Sequence, residues 1–213
     1  MNQFVYFESD MDTEKTKRIH IEVIQSPTKA RNCGFGNHDK RPLDPPPVVQ
    51  LMTPTNSLSQ DKHFEQCKNF VVRCDLCPIH ARLPTNPANA IETMSVIHPS
   101  TKEEVPNLTG NITASPFMFY DNTTNQKYIV FVFNKLYVRT PGYYKLVFSL
   151  YPVKNEEIPT KCSSMAMSDP FTCYLPSLFP GVDASTTLSK DLKDQGVPVT
   201  IHEGHTEGDP NQY

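Results

Sequence analysis

No run of this 213-residue chain approaches the roughly 20 consecutive apolar residues that a helix needs to cross a bilayer. A membrane-spanning helix is therefore excluded, and no membrane partner is expected. Familiar catalytic signatures are missing too. There is no G-x-S-x-G elbow, no H-E-x-x-H, no P-loop and no G-x-G-x-x-G, so nothing in the chain matches the hydrolase, zinc-protease, nucleotide-hydrolysing or dinucleotide-binding patterns. The expectation is a protein that is not an enzyme, with no cofactor, no metal and no small-molecule substrate. Glycine is scarce, eight residues against twenty prolines. Proline inside a helix costs about 3 kcal/mol, so this balance argues against a helical fold and for many loops. Repeats and heptads are absent. The opening stretch carries Glu8, Asp10 and Asp12 where a secretory leader needs a basic end and an apolar centre, and an intracellular protein is expected.

What is present is alternation. Apolar residues recur at every second position in Ile19, Ile21 and Val23, in Phe70, Val72, Cys74 and Leu76, and in Tyr144, Leu146, Phe148 and Leu150, the period of half-buried strands. Segments 48–52, 91–97, 112–119, 128–133, 171–175 and 197–201 add candidates, each bounded by Pro, Gly, Asn or Asp. About nine strands at this spacing predict an all-β, two-sheet antiparallel sandwich of immunoglobulin-like type with long loops. Leu188 to Gln195, led in by Ser185-Thr186-Thr187 and stopped by Gly196, predicts one short helix near the C-terminus. Residues 1–16 and 204–213 are aperiodic and expected to be mobile ends around a domain spanning 17–203.

Positive charge is concentrated. Between Lys15 and Arg41 lie seven Lys or Arg against two acids, while the remainder has 13 basic against 21 acidic residues. Within that stretch Lys29, Arg31, His38, Lys40 and Arg41 surround Gly34 and Gly36, and Pro45 to Pro47 stiffen the exit. A cationic loop on an acidic body suits a polyanion. Lys29 and Lys40 would supply affinity as point charges, and Arg31 or Arg41 would fork onto guanine.

Six cysteines accompany three Asn-x-Thr sequons at Asn107, Asn111 and Asn122, a pattern that a secreted, glycosylated adhesion sandwich would share. Without an export signal free thiols are expected. Cys67, Cys74, Cys77 and His80 have the chemistry of zinc ligands, but a second CxxC is absent and buried thiols explain the pattern more simply. Cys33 lies in the basic loop, where Lys29 and Arg31 could favour its thiolate, but a plain loop cysteine is the simpler reading. Arg139-Thr140-Pro141-Gly142 reads as a hairpin turn.

Three blocks carry a family resemblance. Lys29-Ala-Arg31, Cys33-Gly-Phe-Gly36 and Lys40-Arg41-Pro42-Leu-Asp44-Pro-Pro-Pro47 form the first; Val130 to Leu146, with Arg139-Thr140-Pro-Gly142, the second; Asp169-Pro170-Phe171-Thr172 through Phe179-Pro180-Gly181 to Gln195-Gly196-Val197, the third. In this order they resemble the velvet domain of fungal regulators of development and secondary metabolism, whose sandwich is similar to that of Rel-homology transcription factors; residues 54–110 fit only loosely. The resemblance implies a transcriptional regulator of the nucleus, able to shuttle with the cytoplasm, that binds double-stranded DNA with the basic loop. It carries over best to Arg31, Lys40 and Arg41. It also implies pairing with itself or another velvet-domain protein; the apolar Tyr143, Tyr144, Phe179 and Leu192 near the C-terminal blocks are candidates for the paired face and equally for the core. The alternative is a velvet-fold dimerisation module that does not touch DNA.

Overall fold

Gly142–Pro152 is an eleven-residue strand because its sequence is rich in Tyr, Leu, Val and Phe and free of internal proline, and the rest of the architecture is arranged around it. The computed structural model describes residues 5–6, 19–36, 40–52, 65, 67–83, 94–153 and 162–203. In chain order the strands are β1 (Val5–Tyr6), β2 (His20–Gln25), β3 (Lys29–Arg31), β4 (Val48–Met52), β5 (Phe70–Pro78), β6 (Ser95–Ile97), β7 (Glu104–Pro106), β8 (Leu108–Gly110), β9 (Thr113–Ala114), β10 (Phe117–Asp121), β11 (Gln126–Val132), β12 (Leu136–Val138), β13 (Gly142–Pro152), β14 (Ser164–Met167) and β15 (Phe171–Tyr174). A short helix, α1 (Thr187–Asp194), follows.

One edge of β13 pairs along its length with β5, which continues to β9, while the other edge pairs with β15 near its start and β14 near its end. β1 extends this sheet beyond β14, and β3 extends it in parallel beyond β15. The second sheet has the order β10-β11-β4-β2. Two small ladders, β8 with β12 and β6 with β7, complete the set. Inward residues of both sheets meet in one core: Ile21, Val49, Leu51 and Phe131 from the four-stranded sheet against Val72, Leu76, Leu146, Phe148 and Leu150 from the other. Phe133 and Phe148 stack with ring centroids 5.1 Å apart. Each such side chain contributes about 1.5–3 kcal/mol through removal from water, which is what fixes the strand register.

The outer face of the four-stranded sheet is covered by Leu192 of α1 and by Val197 and Val199, packed on Val48, Phe119 and Val130. α1 starts where Thr186 Oγ1 accepts from Ser189 N at 3.1 Å. It stops at Gly196, whose φ of +93° allows Gly196 N to reach Lys193 O and Val197 N to reach Leu192 O, both at 3.0 Å, a paired C-terminal closure that favours glycine.

The expected all-β sandwich with a short C-terminal helix is observed. Several boundaries differ. The segment 112–119 is split between β9 and β10 at Ser115-Pro116, since proline cannot donate to a ladder. Segment 197–201 forms no strand and covers the outer face instead. Only 95–97 of the 91–97 segment is strand, residues 91–93 lying outside the described residues. Most of 1–16 and all of 204–213 also lie outside them, but Val5–Tyr6 pairs with β14. Arg139 to Gly142 does not close a hairpin, because β12 pairs with β8 and β13 with β5. It carries the chain from the small ladder into the large sheet. There Thr140 donates from N and Oγ1 to Asn107 Oδ1, each at 3.1 Å, and Tyr144 Oη lies 3.0 Å from Thr140 Oγ1. Asn107 is wholly buried, so its sequon is closed to glycosylation in the folded chain. All six thiols are free, and no cluster of metal-ligating side chains occurs among the described residues. Cys74 faces the core between the sheets and Cys77 the opposite, outer face, as alternation requires.

Candidate nucleic-acid interface

The basic segment begins as strand, not loop. Lys29, Ala30 and Arg31 run parallel to Thr172, Cys173 and Tyr174 of β15, so the connection to β4 opens only at Asn32. Its two ends are tied to each other. Lys29 N donates to Asp44 O at 3.1 Å and Asp44 N to Lys29 O at 3.0 Å, a two-residue antiparallel bridge that pinches the loop shut at its base. The cis Asp44–Pro45 bond and the two prolines after it then lead into β4, with Phe133 N donating to Pro47 O at 2.9 Å.

Strand pairing decides the fate of the first cation. The Lys29 side chain is only 11% exposed, and its Nζ lies 2.6 Å from Asp183 Oδ1. Asp183 in turn donates its backbone N to Asp44 Oδ2 at 2.9 Å. The buried ammonium thus belongs to a knot joining the loop base to the segment before α1, and in this conformation it does not face solvent. This departs from the expectation of a phosphate contact, and the reason is local: a residue placed on a paired strand beneath Asp183 cannot also reach outward.

The other basic residues sit differently. Arg31 ends β3, half-buried, opposite Tyr174. Lys40 is half-buried and Arg41 exposed. Arg41 stands at the lip of a cleft of about 340 Å³ whose walls include Pro42, Pro45, Val182, Ser185 and His202. His38 lies outside the described residues.

The ascending arm of the loop is held by β12 and the residue after it. Cys33 N donates to Val138 O at 2.8 Å, and Gly34 N to Arg139 O at 3.2 Å. Gly34 adopts φ +60°, a left-handed turn that favours glycine. Arg139 returns the contact: its Nη1 donates to Gly34 O at 3.1 Å and its Nε to Pro106 O at 3.0 Å. The same guanidinium lies 5.5 Å from the centre of the Phe35 ring, which meets His98 edge-on at 4.9 Å. Arg139 and Lys40 also flank Cys33. Burial nevertheless pushes the Cys33 thiol up, outweighing the downward pull of those two cations. The plain cysteine agrees with this and the alternative of a favoured thiolate does not: desolvation wins, and the cations that act on the thiol are Arg139 and Lys40, not Lys29 and Arg31.

The velvet factor family profile matches residues 19–103 and 80–206, nearly the whole described chain. This chain belongs to the velvet family. Its velvet domain is 32% identical over 199 residues to the sexual development regulator VELC of Pyricularia oryzae, covering 91% of this chain and 42% of that protein. It is 32% identical over 200 residues to the spore development regulator vosA of Beauveria bassiana, covering 89% of this chain and 68% of the relative. Against the developmental and secondary metabolism regulator ve1 of Gibberella zeae the identity is 36% over 200 residues, covering 85% of this chain and 35% of that protein. The chain therefore spans less than half the length of several relatives it matches.

Within the velvet domain, the structure gathers Arg31, Lys40 and Arg41 around one pinched loop and adds Arg139 and Phe35, which sequence reasoning did not assign to it. Only the isolated arginine before Thr140 signalled the former, and a turn explained it equally well. Of the residues considered for a paired face, Tyr144 and Leu192 are core, Phe179 packs edge-on against Tyr174 at 6.3 Å, and Tyr143 is 66% exposed.

Proposed function

We propose that this velvet-family protein is a regulator of fungal development that acts in the nucleus, pairs with itself or another velvet-domain protein, and binds duplex DNA through the loop of residues 31–43. One observation carries the reading: Arg31, Lys40 and Arg41 of an acidic chain lie on one loop whose base is bridged and whose arm is hydrogen-bonded to the sandwich. Such a loop loses little conformational freedom when it meets phosphates, so more of its Coulomb attraction survives as affinity. Arg31 and Arg41 are the residues suited to reading a base edge, Lys40 to a phosphate. A single loop with so few cations gives limited grip, and two copies on one site multiply it.

The test is the salt dependence of binding to duplexes of unrelated sequence. Replacing Lys40 and Arg41 together by Ala should weaken binding to every duplex and lower the slope of log K against log salt by about 0.9 for the Lys40 phosphate contact, and by up to about 1.8 where Arg41 also meets a phosphate. Unchanged affinity and slope would remove the loop from the interface. A second reading, a pairing module without DNA contact, draws on the exposed Tyr143 (66%) and Leu178 (67%). It predicts that the double variant still forms dimers and that neither form retains duplex DNA.

A further inference from the structure

Arg139 is held through both its backbone and its side chain. Its backbone N donates to Asn107 O at 2.9 Å, and its backbone O accepts from Gly34 N at 3.2 Å and from Asn32 Nδ2 at 3.2 Å. The guanidinium donates to two further carbonyls, Gly34 O and Pro106 O, and covers the Phe35 ring. One residue thus fastens three segments: the ascending arm at 32–35, the end of β7, and the start of the β12–β13 connection. A guanidinium directed at two carbonyl oxygens and stacked on an aromatic face has a fixed orientation. That orientation is toward the protein. Charge-assisted hydrogen bonds of this kind are about twice as strong as neutral ones, so the clamp is a substantial part of what orders the arm.

We infer that Arg139 is a positioning residue for the basic loop: it presets the arm that carries the loop toward DNA and makes no phosphate contact of its own. The inference rests on the DNA-binding reading for its consequence, but the clamp itself is independent of any ligand. Without it the arm must be ordered at the moment of binding, and affinity falls by the cost of that ordering.

Three variants of the full chain, Arg139→Ala, Arg139→Lys and Phe35→Ala, separate the possibilities when duplex binding is measured as a function of salt and amide hydrogen exchange is measured without DNA. The expected result is faster exchange at Cys33 and Gly34 in all three, with affinity reduced about tenfold for Arg139→Ala, the loss of somewhat more than one ordered side chain, and with the salt slope unchanged. Arg139→Lys should not rescue affinity, because a point charge replaces neither the fork nor the stack. A slope lowered by about 0.9, with recovery in Arg139→Lys, would make Arg139 a phosphate contact and overturn the inference. Unchanged exchange at Cys33 and Gly34 would overturn the clamp whatever the DNA result. Faster exchange in a protein whose parent form binds no duplex would leave the clamp standing and remove the DNA reading instead. If Arg139→Ala does not fold, Phe35→Ala reports on the same clamp from its other side.

Discussion

Lys29 and Asp183 illustrate how unequal the two halves of an ion pair can be. The lysine side chain is 11% exposed and the aspartate 68%, so removing the aspartate strands a buried ammonium, whereas removing the lysine leaves a carboxylate that water can solvate. Asp183→Ala should therefore destabilise the fold by about 1–3 kcal/mol and Lys29→Met by much less, as read from urea midpoints. Lys29→Met should also leave the salt slope of DNA binding where it was, in contrast to changes at Lys40 and Arg41. Equal costs for the two substitutions would contradict the asymmetry. The buried thiols make a second prediction. Burial pushes Cys77 up to about 11 and Cys173 up to about 12, both above the ordinary thiol value of 9.0. The folded chain then keeps protons that the unfolded chain releases. The corresponding stability is complete below pH 9 and is lost as pH rises through 11 and 12, by up to about 1.4 kcal/mol per pH unit for each thiol. Urea midpoints should be level on this account from neutral pH to 9 and decline above it, and Cys77→Ala with Cys173→Ala should flatten the decline. An unaltered alkaline slope in that double variant would rule these thiols out.

At the scale of elements, β10 is an outer strand of the four-stranded sheet, and an open strand edge invites another chain to pair with it. Gln195 deals with this. Its side-chain amide accepts from Tyr120 N at 2.8 Å and donates to Tyr120 O at 2.7 Å, imitating one residue of a neighbouring strand. This gives a physical reason for the Gln195-Gly196-Val197 motif: the glutamine shields β10, the glycine ends α1, and the valine covers the outer face. Gln195→Ala should lower stability by about 1 kcal/mol and produce concentration-dependent self-association in sedimentation; a variant that stays at the parent's size at high concentration would show that the edge needs no shield. The same scale shows what was legible in sequence. Strands of five residues or more, such as β4, β5 and β13, display enough alternation to be found. β3, β7, β8, β12 and β14 have only three or four residues, too few for a period of two to stand out from chance, and the partner of β3, β15, lies far away in the chain. β3 mattered most, because reading Lys29-Ala-Arg31 as loop put the lysine outside.

For the molecule as a whole, the sandwich was legible because many segments repeat the same signal, whereas the candidate interface depends on a few contacts between distant stretches. Charge density located the loop from the sequence. It could not show that Lys29 turns inward, that the carbonyls of Gly34 and Pro106 capture Arg139, or that burial dominates the environment of Cys33, since each of these depends on residues tens of positions away. The resemblance to velvet domains carried the fold and the family, and the coordinates redistributed the individual roles.

The bridge between Lys29 and Asp44 has one more consequence. It holds the two ends of the segment at a fixed separation, and because Leu43 is buried in the core and donates its N to Leu136 O, the base of the loop moves only with the sandwich. Substitutions at the base therefore act on stability, whereas the exposed Arg41 can be exchanged while the β scaffold continues to fold as before.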